Sequence, residues 1–200
     1  MSHLTRGKTF IVSGPSGVGK GTVLKELFKT RDMYYSVSAT TRDPRDGEVN
    51  GVHYHFMSAD EFRTMIAEDA LLEHAEYAGN YYGTPARYVD EAMDGGRDVI
   101  LEIELLGARQ VCAKRPETIR IFIAPPSWEE LERRLISRGT DAPEKIAQRL
   151  QRARVELESA GEYDYLVIND TVEEAVAELD AIIRAEHCRP ADHLDRVLGV

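Results

Sequence analysis

Apolar positions along this chain recur in two rhythms, one suited to strands and one to helices. Residues 9–12 form a short run of apolar and β-branched side chains and a glycine-rich stretch follows; Val23, Leu24, Leu27 and Phe28 then repeat at helical spacing, so the chain opens as strand, loop, helix. A second strand is predicted over residues 34–38. Residues 41–48 contain Pro44 and Gly47 and read as a loop, while 51–56 alternate as a strand does. Ser58, with Glu61 three residues on, marks a capped helix start with Phe62, Met65 and Ile66 on one face. Residues 71–77 and 80–82 read as strands joined in a hairpin at Ala78-Gly79.

From residue 99 onward strands and helices alternate regularly. Buried-type strands are predicted at 99–103, 119–124 and 165–168, and helices at 105–114, 127–138, 143–160 and 171–187. This order predicts an α/β fold, a parallel-sheet core with helices on both faces. The core is expected in residues 1–37, 85–138 and 150–187, with a small α+β insertion at 38–84 and a helical lid at 139–149. The tail, 188–200, carries Leu194, Val197 and Leu198, an apolar set for packing on the body or on a second subunit of a homo-oligomer.

Two hundred residues suit one such domain. Hydrophobic residues at 42% and charged residues at 30% describe an ordinary globular chain. The net charge of −10 speaks against general nucleic-acid binding. No apolar run reaches membrane-spanning length, and the first residues hold no signal-like apolar core. Cys112 and Cys188 sit in no metal or redox spacing, so a reduced, cytoplasmic protein is expected. If the substrates are anionic, positive charge must be focused locally. Lysine is confined to Lys8, Lys20, Lys25, Lys29, Lys114 and Lys145, so arginine supplies most of the cations, and arginine grips phosphate bidentately.

The stretch Gly14-Pro15-Ser16-Gly17-Val18-Gly19-Lys20 fits G-x-x-x-x-G-K between a strand and a helix, the context in which that pattern holds nucleotide phosphates. Its glycines let successive N–H groups turn inward around an anion, and the helix N-terminus adds partial positive charge. Lys20 is placed to bridge the β- and γ-phosphates. The expected ATP-binding set runs from Gly14 through Lys20 and on to Gly21 and Thr22. The hydroxyl that commonly follows the lysine and ligates Mg²⁺ is replaced by Gly21, and Thr22 brings it one place later. Magnesium is therefore expected to be held chiefly through ATP oxygens and water.

The stretch Ser36-Val37-Ser38-Ala39-Thr40-Thr41-Arg42-Asp43-Pro44-Arg45-Asp46-Gly47-Glu48-Val49-Asn50-Gly51 resembles the guanylate kinase signature. Leu72-Glu73-His74-Ala75, Gly79-Asn80-Tyr81-Tyr82-Gly83-Thr84, Arg138-Gly139-Thr140 and Val167-Ile168-Asn169-Asp170 are similar to that family as well, and the resemblance spans residues 8–187. It implies transfer of the γ-phosphoryl group of ATP to GMP with Mg²⁺. It also implies that Arg42, Arg45 and Tyr54, completed by Tyr82, hold the GMP phosphate. Ser38, Glu73, Thr84 and Glu104 would face the guanine, Glu48 would order the arginine loop, and Asn169 would lie near the adenine of ATP. Arg134, Arg138 and Arg149 resemble the family's lid arginines, which join Lys20 and Arg42 in neutralising the transferring group. The family commonly has Asp-x-Asp and then Gln-Gly where this chain has Glu102-Ile103-Glu104-Leu105-Leu106-Gly107, so Glu102 is expected in magnesium's outer shell.

The chemistry agrees with that resemblance. The phosphate of GMP is itself the nucleophile, with a second pKa of about 6, and needs no protein base at neutral pH. It needs cancelled repulsion between two polyanions and a fixed line of attack, which arginine clamps supply. Guanine presents N1–H and N2–H₂ donors that one buried carboxylate accepts together; adenine lacks the N1–H and leaves that carboxylate unpaired. Two other readings stay open. One is a kinase of the same fold for another phosphorylated acceptor, such as a ribose bisphosphate, against which Glu73 with Ser38 and the paired arginines speak. The other is a non-catalytic guanylate kinase-like binding module, against which the intact Lys20 and loop glycines speak.

Overall fold

A computed structural model describes residues 6–137 and 143–199. In chain order the elements are β1 (Thr9–Ser13), α1 (Lys20–Leu27), β2 (Met33–Tyr35), β3 (Ala39–Thr40), β4 (His55–Phe56), α2 (Ala59–Ala67), β5 (Leu71–Tyr77), β6 (Asn80–Pro85) and α3 (Ala86–Asp94). They continue as β7 (Asp98–Glu102), α4 (Leu105–Lys114), β8 (Ile119–Ala124), α5 (Trp128–Ser137), α6 (Pro143–Glu158), β9 (Tyr165–Ile168), α7 (Val172–Glu186) and α8 (Leu194–Leu198). The chain divides into two compact units, Met1–Ile11 with Met33–Ile119, and Val12–Asp32 with Arg120–Val200. The boundary passes through β1.

The first unit holds strands in the order β2-β7-β1, with β2 and β7 parallel and Tyr35 opposite Ile100. Val99, Ile100 and Leu101 are all buried, as a strand of a parallel sheet demands. The same unit holds a mixed sheet in the order β4-β3-β6-β5, where β6 runs antiparallel to both β3 and β5. The β5–β6 turn places Ala78 and Gly79 at φ 50° and 76°, the two positive angles of a tight hairpin turn. Between Leu71 and Glu73 the register slips, and Leu71, Leu72 and Glu73 are buried in succession. Such a bulge breaks the in–out alternation and re-aims the residue beyond it. Helix α2 opens on a full capping box: Ser58 Oγ accepts the Glu61 N–H at 3.2 Å and the Glu61 carboxylate accepts the Ser58 N–H at 2.7 Å. Its buried Phe62 meets Ala39 and Leu71 and stacks on Tyr81 with centroids 5.4 Å apart.

The second unit holds strands in the order β1-β8-β9, with Ile123 opposite Val167 in parallel register. Helix α1 buries Val23, Leu24 and Leu27 and packs on α7, which buries Ala175, Leu179, Ile183 and Glu186. The buried Glu186 accepts the Tyr165 hydroxyl at 2.5 Å and a two-pronged Arg189 contact at 2.6 and 2.7 Å. Leu131 and Leu135 of α5 pack on Ala153 of α6, with Trp128, Ile146, Leu150 and Leu157 around them.

Three local expectations change. The strand predicted over 51–56 shrinks to His55–Phe56, because Val52 and His53 donate back to the Val49 carbonyl at 3.2 and 3.1 Å and close a turn. The strand predicted over 34–38 is Met33–Tyr35. Helix α3 was not predicted, although its buried Val89, Ala92 and Met93 are spaced for one helical face. Of the expected lid, residues 139–142 lie outside the described residues and 143–149 are the opening turns of α6.

Candidate active site

In the second unit β1 runs into the glycine loop and the loop into α1. Gly19 caps α1 at φ 98°, and a Cβ there would stand 2.7 Å from the Asn169 Nδ2, so conformation and space both demand glycine. Lys20 Nζ donates to the Gly14 carbonyl at 2.5 Å and reaches that of Pro15 at 3.5 Å. Val18 N–H donates to the Pro15 carbonyl at 3.2 Å, which curls the loop around Ser16 and Gly17. Gly21 and Thr22 are exposed in the first turn of α1.

Asn169, 4% exposed, follows β9 and ties back to the loop: its Nδ2 donates to the Val18 carbonyl at 2.7 Å and its N–H to Ala124 at 2.8 Å. Arg134 reaches the same place from α5, donating to the carbonyls of Val18 at 3.3 Å, Asn169 at 2.9 Å and Asp170 at 3.3 Å. Its Nε bonds Glu130 at 2.6 Å. Hydrogen bonds from Arg133, then Arg134, pull the Glu130 carboxyl down to about 2. Gly17, Gly19, Thr22, Arg134, Asn169 and Asp170 surround a cavity of about 290 Å³. Arg149 is half-buried on α6 and does not line that cavity. Arg138 lies outside the described residues.

The first unit carries a separate cluster. Arg42 Nη2 bonds both Glu48 oxygens at 2.9 Å, and its Nη1 donates to the Asp43 carbonyl at 2.6 Å. The guanidinium lies 5.5 Å from the centre of the Tyr54 ring, and Tyr54 meets Tyr82 edge-on at 6.1 Å. Glu48 also accepts the Arg45 backbone N–H at 2.7 Å. That backbone donor, with Arg42, lowers the Glu48 carboxyl, and the hydrogen bond from Glu48 raises the Arg42 guanidinium. The Arg45 side chain is exposed on the same loop. Ser38 is half-buried just before β3, and its carbonyl accepts the His55 N–H at 2.8 Å.

Glu73 is 8% exposed and faces Thr84 across the β5–β6 pair; the Thr84 hydroxyl donates to its Oε1 at 2.7 Å. Burial pushes the Glu73 carboxyl up, Thr84 pulls it partly back, and the nearby charge of Glu104 raises it again. Glu104 is exposed at the residue that opens α4. Glu102 ends β7 and accepts the Tyr35 hydroxyl at 2.9 Å; burial and then the Glu102 charge raise that phenol. No sequence motif singles out Tyr35, Gly107 or Gln110 for a role of its own. Gly107 stands against the Glu73 carboxylate, and Gln110 bonds the backbone of His74. The signal for the last two was their three-residue spacing on α4, which has meaning only once β5 is known to lie beside it.

Comparison with known proteins adds to this geometry. The family model described as guanylate kinase matches residues 6–186. A guanylate kinase of Streptococcus agalactiae is 54% identical over 196 residues, covering 97% of this chain and 92% of the relative. One of Clostridium perfringens is 51% identical over 185 residues, covering 92% of this chain and 86% of the relative. The crystal structure of guanylate kinase from Anaplasma phagocytophilum superposes with a TM-score of 0.75 at 31% identity, covering 97% of this chain and 94% of that one.

Proposed function

From the premise that the chain belongs to the guanylate kinase family, we infer that it is an ATP:GMP phosphotransferase and that the two clusters above are its nucleotide sites. ATP + GMP ⇌ ADP + GDP requires a phosphate-oxygen of GMP to bond the γ-phosphorus as the bond to ADP breaks, with ADP leaving on the bond's electron pair. In this reading the loop N–H groups from Gly14 to Gly19 and the Lys20 ammonium receive the ATP phosphates. The cavity beside Asn169 and Arg134 receives the adenine end; Arg134, expected as a lid cation, instead braces that cavity through the carbonyls of Val18, Asn169 and Asp170, and Arg138 and Arg149 are proposed as the cations for the transferring group. Arg42 and Arg45, with the hydroxyls of Tyr54 and Tyr82, take the GMP phosphate, and Glu48 keeps Arg42 oriented. Glu73 accepts from guanine's N1–H and N2–H₂, with Ser38, Thr84 and Glu104 beside it.

Magnesium fits the donor chemistry of this chain as an ion carried mainly by phosphate oxygens and water. The Thr22 hydroxyl is an exposed hard donor in the first turn of α1, and Glu102 is proposed for the ion's water shell on its carboxylate chemistry alone. When bound, the ion supplies charge neutralisation on the β- and γ-phosphates.

The observation that carries the acceptor assignment is the buried Glu73 carboxylate held by Thr84. A buried acceptor that can be satisfied by two N–H donors selects guanine over adenine and over any sugar. Release of ADP is to be followed with GMP, AMP, UMP and sugar phosphates as acceptors. GMP is expected to be preferred by at least roughly a hundredfold in kcat/KM; equal turnover of AMP and GMP sinks the assignment. Lys20→Ala is expected to abolish turnover while thermal melting stays within a few degrees of the parent. Unchanged activity in that variant would move the ATP site elsewhere.

A further inference from the structure

We propose that helix α4 is the device that sets the acceptor-base carboxylate, with Gln110 and Gly107 as positioning residues for Glu73. The proposal rests on the reading that Glu73 binds the guanine edge.

Strand β5 is the end strand of its sheet, so its outer edge offers backbone groups to whatever lies beside it. Side chains of α4 take them up. Gln110 Oε1 accepts the His74 N–H at 3.1 Å while its Nε2 donates to the His74 carbonyl at 3.0 Å. One side-chain amide thus makes the pair of bonds that a neighbouring strand residue would make. Lys114, four residues on and on the same helix face, donates to the Leu71 carbonyl at 2.7 Å. These two tethers bracket the register slip between Leu71 and Glu73. A bulge on an edge strand leaves the direction of the next side chain weakly specified by the sheet itself. Fixing the peptide of His74 fixes the backbone of the adjoining Glu73.

Gly107, three residues before Gln110, shapes the carboxylate from the other side. A Cβ at that position would stand 3.0 Å from the Glu73 Oε2 and 3.3 Å from its Cδ and Cγ. Glycine weakens a helix relative to alanine, and here it yields the space the carboxylate occupies. Thr84 holds Oε1 at 2.7 Å. The carboxylate is therefore located by a hydrogen bond on one oxygen, a helix wall beside the other, and a clamped peptide behind it.

The test uses Gln110→Met, which keeps side-chain length and removes both bonds, and Gly107→Ala, which adds one methyl group to a helix. Glu73→Gln is the reference. For each, kcat/KM is measured with GMP and with inosine monophosphate, which lacks the 2-amino group, together with the KM for ATP and the melting temperature. Both α4 variants are expected to raise the KM for GMP roughly tenfold and to lower the GMP-over-inosine-monophosphate ratio toward that of Glu73→Gln, with the KM for ATP within about twofold. Gly107→Ala should do so without a lower melting temperature, which a merely structural role does not predict; it carries the test alone if Gln110→Met fails to fold. If Glu73→Gln lowers the ratio and the α4 variants do not, or if they move the ATP and GMP constants equally, the proposal falls and the guanine assignment stands. If Glu73→Gln leaves the ratio unchanged, the guanine assignment itself falls.

Discussion

Glu73 is held where burial disfavours its charge, and that shows how function is set against stability at a single residue. Its carboxyl is raised in the folded chain, so between the ordinary carboxylate range and the raised value the folded state binds more protons than the unfolded one. Stability from this group is present at low pH and is lost as pH rises through that window. Glu73→Gln keeps the acceptor for Thr84 and removes the charge. It is expected to raise the melting temperature at pH 7 while raising the KM for GMP by roughly ten- to a hundredfold. A calorimetric scan beside a GMP titration checks both halves, and a lower melting temperature contradicts the first. His55 has the opposite sense. It stacks on Tyr88 at 4.4 Å, its Nε2 is buried without a hydrogen-bond partner among the described residues, and burial followed by Arg87 lowers its pKa. Its contribution is full above the unfolded value of about 6.5 and is lost as pH falls below it. Denaturation midpoints measured from pH 7.5 to 5 should fall less steeply in His55→Gln; identical slopes would remove His55 as a cause.

Among the elements, α2 was read with its boundary and its reason, because a capping box is local chemistry. Ser58→Ala removes one acceptor from the first turn and is expected to cost about 1 kcal/mol in chemical denaturation, with little change in kcat. The hairpin at Ala78-Gly79 and strands β7, β8 and β9 were legible for the same local reason. The stretch 51–56 misled, since its alternation comes from a turn anchored on Val49, and one side-chain rhythm fits both states over six residues. Helix α3 carried a periodic signal that its start directly after a strand, on Pro85 with no capping side chain, concealed.

Across the whole molecule, the phosphate loop with its arginine and asparagine braces belongs to one compact unit, and the Arg42–Glu48 and Glu73–Thr84 sets belong to the other. Each ligand should therefore leave its own footprint in amide exchange. GMP alone is expected to slow exchange in residues 38–56 and 71–85, and a non-hydrolysable ATP analogue alone in 14–22 and 165–170. At a ligand concentration of about a hundred times Kd, either should add roughly 2.7 kcal/mol to global stability. Protection by GMP confined to the glycine loop would overturn the assignment of the acceptor site. The sequence by itself determined the α/β class, the loop chemistry, the family and the residue types available for an anionic purine acceptor, because spacing and side-chain chemistry are carried by neighbours along the chain. Only the tertiary structure decided that Arg134 spends its guanidinium on the carbonyls of Val18, Asn169 and Asp170, and that Tyr35 holds Glu102. It alone decided that Gly107 and Gln110 stand against the strand bearing Glu73. Those partners lie far apart in sequence, and what brings them within hydrogen-bond distance is the packing of whole elements, which no local pattern encodes.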